Sequence, residues 1–264
     1  MARTPRSPAR EVPWGWAVAG AVLGLVVALV GFAPARWLAA GVASASRGQV
    51  LLADARGTVW NGTAHLVLTG GTGSTDAAAL PGQLAWSLRP RWNGVAAQVR
   101  ADCCTPRPVT VRAGLRWGGL DLRVGDSVSQ WPAAVTTGLG TPWNALQIDG
   151  ELTLTTRGLS VEWSAGRPVI AGCAELVARN VASRLSTLRP MGSYRITLQG
   201  GTPATLRLDT LDGSLQLSGT GQWVGDRLRF RGEASAAPDR EAALANLLNI
   251  IGRRSGPRSI ISIG

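Results

Sequence analysis

The chain has 264 residues, with 27 basic and 16 acidic side chains, one histidine and a formal net charge of +11 at pH 7. That length admits one domain plus an anchor, or two small domains, and an apolar share of 45% is enough for a buried core. The 34 glycines follow no three-residue period, which excludes collagen and favours many turns. Every basic side chain is an arginine, dispersed through turn-rich segments rather than concentrated on one run, so the charge lacks the footprint of a nucleic-acid binder. Attraction to anionic lipid or an acidic protein partner fits it better.

In chain order, Arg3, Arg6 and Arg10 open a basic tail, 1–11, which the positive-inside rule places in the cytoplasm. From Val12 to Ala35 there is no charge, and as a helix this stretch reaches about 36 Å, more than a bilayer core of about 30 Å. Trp14, Trp16 and Trp37 flank it, where amphipathic rings favour the interface. We read 12–35 as a single transmembrane anchor. A cleaved signal peptide competes, with small-x-small sites at Ala33-Pro34-Ala35 and Ala43-Ser44-Ala45, but its apolar core is normally shorter. Residues 36–47 read as a juxtamembrane helix or linker, with Trp37, Leu38 and Val42 on one side, and 48–264 as the exported part.

That part breaks at glycine every eight to twelve residues into short alternating runs, the pattern of half-buried antiparallel strands. Asn61-Gly62 predicts the first hairpin turn, entered by Thr58, Val59 and Trp60 as strand residues, with Trp60 a core anchor; the match to a glycosylation acceptor is incidental. Leu84, Trp86 and Leu88 alternate on one face, as do Leu120, Leu122 and Val124. Val128 to Leu139 predicts a helix around Pro132. Leu152 and Leu154 predict a strand that turns at Arg157-Gly158 into Leu159, Val161 and Trp163; Leu215 and Leu217 predict another, broken by glycine before Trp223. From Pro238 to Gly252, Leu244, Leu247, Leu248 and Ile251 form a helical stripe expected to pack on the sheet. The closing RSIISIG predicts a final strand. The fold class is therefore mainly β: a single N-terminal transmembrane helix, then an exported, twisted antiparallel sheet carrying a C-terminal amphipathic helix.

No constellation for catalysis emerges. His65, the lone histidine, has no ligand-spaced partner and no motif that would make it a general base. Asp149 and Glu151 flank Gly150 at a spacing a carboxylate pair could use, but read as a solvated strand face. We therefore assign no catalytic, cofactor-binding or metal-binding residue, and expect no cofactor. Of three cysteines, Cys103 or Cys104 could bridge to Cys173 in an oxidising compartment, and three free buried thiols are the alternative. A bond between the adjacent pair reads as strained.

The segments ADARGTVWNGTA, LPGQLAWSLRP, WPAAVTTGLGTPWNALQIDGELTL, RLSTLRPMGSYRITLQG and LSGTGQWVGDRLRFRGEASAAPDREAALANLLNIIG, in this order, resemble the type II secretion system protein N (general secretion pathway protein N) family. The resemblance covers nearly the whole chain and does not involve the cysteines. It implies an accessory component of the cell inner membrane, single-pass, in the machine that moves folded periplasmic proteins across the outer membrane of Gram-negative bacteria. It implies no enzymatic activity and carries over no site residue. The implied partners are other secretion components in the inner membrane and periplasm, with the outer-membrane channel a further candidate, and membrane lipid through the anchor. No nucleic acid and no small-molecule substrate are expected. The alternative is a periplasmic lipid- or ligand-binding module with an apolar groove in the sheet, to be judged by whether the C-terminal helix fills that groove.

Overall fold

The computed structural model describes residues 14–264 apart from Pro142, Ala165 and Gly166. The basic tail 1–11 lies outside the described residues. The described residues begin with two helices, α1 (Trp14–Gly31) and α2 (Ala35–Ala45). Among the described residues α1 is the one helix long and apolar enough to cross a membrane, and none of it is buried against the rest of the protein. Pro34 separates the two helices, because it offers no N–H to the carbonyl of Val30 one turn back.

Among the described residues a sheet of 16 strands follows, all its pairings antiparallel. Its first strands are β1 (Val50–Gly57), β2 (Asn61–Thr69), β3 (Ala77–Ala79), β4 (Leu84–Arg91), β5 (Gly94–Ala101), β6 (Val109–Arg116), β7 (Gly119–Val124) and β8 (Ser127–Pro132). A 3-10 turn, Ala133–Leu139, and the short helix α3 (Trp143–Leu146) interrupt them. The long pair β9 (Asp149–Ser164) and β10 (Arg167–Ala182) comes next. Then follow β11 (Gly192–Gly201), β12 (Thr205–Gly213), β13 (Leu215–Val224), β14 (Arg227–Ala236), helix α4 (Glu241–Ile251), β15 (Arg253–Ser255) and β16 (Arg258–Ile263). Strand order nearly follows the sequence: β3 pairs only on β2, β8 only on β9, and β15 lies outside β16 at the far edge. Stacked hairpins of this kind account for the alternating runs in the sequence, since successive side chains of a strand point to opposite faces of the sheet, apolar on one and polar on the other.

Four expectations need correcting. Asn61 and Gly62 do not form the first turn; they begin β2, Gly62 facing Gly57, and the turn is Thr58–Trp60, closed by a bond from the Thr58 N–H to the Asn61 carbonyl at 2.8 Å. Gly62 is required for a different reason: a Cβ there would run into the Trp86 indole and the Arg56 carbonyl. Val128 to Leu139 is not a helix, because Val128 to Pro132 pairs with β9 and only Ala133–Leu139 coils, as a 3-10 turn. The chain does not reverse at Arg157-Gly158; β9 continues through it, and a register shift opposite, between Ala171 and Cys173, bends the pair. Nor is β13 interrupted after Leu217. Gly219 and Gly221 stand against the ring of Phe230, where a Cβ would collide with it.

The apolar face divides into three cores. The largest gathers Leu146, Val181, Met191, Tyr194, Leu215 and Ala234 under Leu244, Leu247 and Leu248 of α4. A second joins Ala35 of α2 to Ala64 and Trp86. A third holds Leu80, Ala101 and Cys104, with Trp131 and Val135 packed against it. Between them β5, β6 and β7 carry an apolar row with no buried residue in its middle: Pro90, Val95, Ala113, Leu122 and Val161 stand side by side across five strands.

Candidate interaction surfaces

The junction between α1 and the sheet is built from the proline break. The carbonyl that Pro34 leaves without a helical partner, that of Val30, accepts a bond from the Trp60 indole N–H at 2.7 Å. Beside it, the Val59 N–H donates to the Ala33 carbonyl at 2.8 Å, and the Trp86 indole N–H donates to the Val59 carbonyl at 3.0 Å. Trp60 is half-buried and belongs to none of the three cores, so it acts as a clasp on the helix end rather than as the expected core anchor. Below it, Ala35 and Trp86 are buried together with Leu38, Leu52, Ala55 and Leu88 around them. The first hairpin thus satisfies the helix-terminal carbonyls that water or lipid would otherwise have to meet.

The β1–β2 turn lies at the same end of the sheet as the β4–β5 and β6–β7 hairpin tips and the end of β9, as the antiparallel registers require. Trp92 in the β4–β5 tip is 94% exposed and Trp117 in the β6–β7 tip 106% exposed. Leu115, Leu120 and Trp163 sit opposite or beside one another on neighbouring strands, and together with the two tip tryptophans they surround an open recess of about 610 Å³. Arg116 pairs with Glu162 at 3.3 Å on its margin. The sequence shows these tips as Trp-Asn-Gly and Trp-Gly-Gly turns, but only the strand register brings them to one rim.

The sheet edges, the other surface the fold class suggests, are blunted. α2 lies along β1, and β15 is three residues long with Arg253 and Arg254 in it, both devices that discourage edge pairing.

Among the described residues no group of three or more His, Cys, Asp or Glu comes together. His65 sits half-buried on β2 with Nδ1 at 3.2 Å from the Gly82 carbonyl. Asp149 and Glu151 are exposed, and Asp149 accepts a bond from the Gly150 N–H at 2.9 Å. The expected bridge from Cys103 or Cys104 to Cys173 is not formed. Cys103 and Cys104 are bonded to each other and Cys173 is free. The reason is topological: the turn carrying the pair follows β5, and Cys173 is on β10, four strand spacings away across the sheet. At about 4.8 Å per spacing that is roughly 19 Å, far beyond the reach of a disulfide. The only tyrosine, Tyr194, is buried with its hydroxyl donating to the Leu215 carbonyl at 3.1 Å. Burial, and then the charge of Asp212, push its pKa well above the usual 10.0, so it stays a neutral donor in the core.

Among the described residues these features define a β-sheet protein with one apolar helix long enough to cross a membrane, whose conspicuous surfaces are an aromatic rim and an apolar face. The sequence from 48 to 261 matches the family model of type II secretion system (T2SS), protein N, and the chain belongs to that family. It is thereby a component of the type II secretion machinery, consistent with membrane anchoring through α1. Comparison with curated proteins and with solved structures finds no match.

Proposed function

We propose that the chain is an accessory, structural component of the type II secretion system in the cell inner membrane. In this reading α1 spans the bilayer once, the N-terminus is cytoplasmic and the sheet is periplasmic. It supports export of folded proteins across the outer membrane by touching other parts of the machine and performs no catalysis. The family match and the arginines of the tail support this assignment. The observation that carries the structural role is the junction, where Trp60 and Val59 bond to the end of α1. A sheet mounted on its anchor in this way holds a fixed attitude to the membrane, which a scaffold needs and a freely tethered domain lacks.

With both edges blunted, contacts are expected at the loops and the apolar face. Photo-crosslinkers placed at exposed loop positions of the full chain in intact cells should capture other secretion components, and deletion should impair secretion. Intact secretion in the deletion strain, with no secretion component recovered from native membranes, would sink the proposal.

A second reading draws on the uncovered row across β4 to β9. Helix α4 fills the apolar face over β11 to β16, which argues against a groove there. No helix packs on β5 to β7 to a comparable extent, and Val95, Ala97, Val111, Ala113, Leu122 and Val124 are half-exposed along one face. A surface of that kind suits an acyl chain or another extended apolar ligand. Lipid retained by the purified chain through detergent exchange, and lost in a Leu122→Asp variant, would favour it. Retention that is the same in both proteins would dismiss it.

A further inference from the structure

We propose that the hairpin rim bearing Trp92 and Trp117 docks into the interface of an anionic bilayer, the same one that α1 enters. This rests on the reading that α1 spans a membrane. The rim gathers five large apolar side chains, and its two tip tryptophans are almost wholly in water. Exposed apolar side chains clustered in this way mark a contact surface. Tryptophan favours the headgroup level of a bilayer, where its ring is half in hydrocarbon and its N–H still finds a polar partner.

Three observations select lipid as the occupant. First, the Trp60 turn holds the last turn of α1 at this same end of the sheet, so the membrane-embedded segment leaves from the rim's own side. Second, Arg89 and Arg91 lead into Trp92 at the end of β4, both exposed, and among the described residues no carboxylate forms an ion pair with either. Glu162 is matched by Arg116 and Asp121 by Arg123, which leaves the β4–β5 tip positive. Unpaired arginines next to tryptophan suit an anionic headgroup layer. Third, the opposite end of the sheet is poorer in exposed aromatic surface: the loops 70–76 and 102–108 contain no tryptophan, and Trp143 of α3 beside them is 41% exposed, against 94% and 106% for the two rim tips.

The test uses the full chain in protein-free vesicles of phosphatidylcholine, with or without phosphatidylglycerol. An environment-sensitive fluorescent amino acid replaces Asn93, between the rim tryptophans, or Thr75 at the opposite end as control. With phosphatidylglycerol present, the probe at 93 should shift to the blue, be quenched by bromolipid and be shielded from aqueous iodide, while the probe at 75 stays open to iodide. Combining Arg89→Gln with Arg91→Gln should weaken that shielding by roughly tenfold or more. Trp92→Ser with Trp117→Ser should abolish it, with the circular-dichroism melt unchanged because neither ring is part of a core. A probe at 93 as open to iodide as the one at 75, in chain that resists carbonate extraction, overturns the rim but leaves the anchor intact. Shielding that needs other membrane proteins overturns it too. Extraction by carbonate would overturn the anchor reading, and the proposal with it.

Discussion

The two halves of the sheet share one construction and differ in how their apolar face is finished. Over β11 to β16 the face is closed: Leu244, Leu247 and Leu248 of α4 are buried against Tyr194, Leu215 and Ala234. Over β4 to β7 the equivalent face is half-exposed, and cores form only where α2 and the 3-10 turn reach its margins. A one-sided sheet gains stability only where something covers it, so the C-terminal half is expected to be the stable platform. The N-terminal half keeps its apolar surface available.

Equal side-chain deletions should separate the halves. Leu248→Ala removes a buried side chain from the α4 core and is expected to cost about 2–5 kcal/mol in a denaturant melt. Tyr194→Phe leaves the Leu215 carbonyl buried without its donor, at about 1–3 kcal/mol. The same variant tests a pH effect. Because the folded phenol's pKa lies above the unfolded 10.0, Tyr194 contributes stability that is complete below about pH 10 and declines as pH rises further. The wild type should lose stability above pH 10 more steeply than Tyr194→Phe, and identical slopes would contradict the buried, neutral phenol.

Leu122→Ala on the open face should cost under about 1.5 kcal/mol, since a half-exposed side chain has less burial to lose. A cost matching that of Leu248→Ala would mean the open face is covered in solution, which would erase the contrast between the halves. Trp60→Phe should have a similarly small global effect, about 0.5–1.5 kcal/mol, concentrated at the junction. Hydrogen exchange at the Val59 amide should quicken while the α4 amides keep their protection; the reverse pattern would break the assignment.

Much of this architecture is legible in the chain. The apolar run of α1, the Ala-rich α2, the leucine stripe of α4 and the closing strand are local patterns, and the structure places an element at each. What misleads is local signal overridden by tertiary demand. Asn61-Gly62 has the composition of a hairpin turn, yet Gly62 is there to admit the Trp86 indole from a strand that pairs later. Gly219 and Gly221 look like a break and are a slot for Phe230. Trp131, Val135 and Leu139 have helical spacing, but Pro132 ends a strand whose partner, β9, lies further along the chain. The rim is not read from the sequence, because its assembly depends on registers across β4 to β9 that no short window contains.

The near-sequential strand order carries a consequence for how the molecule is made. Each strand finds its neighbour soon after it emerges, so loop-closure entropy stays small at almost every step. On the proposed topology, with α1 retained in the membrane and the sheet exported, the chain can therefore lay down the sheet hairpin by hairpin, starting from the clasp at Trp60. Only α4 and the last two strands complete the C-terminal core, which makes the arrival of the final residues the event that locks the domain.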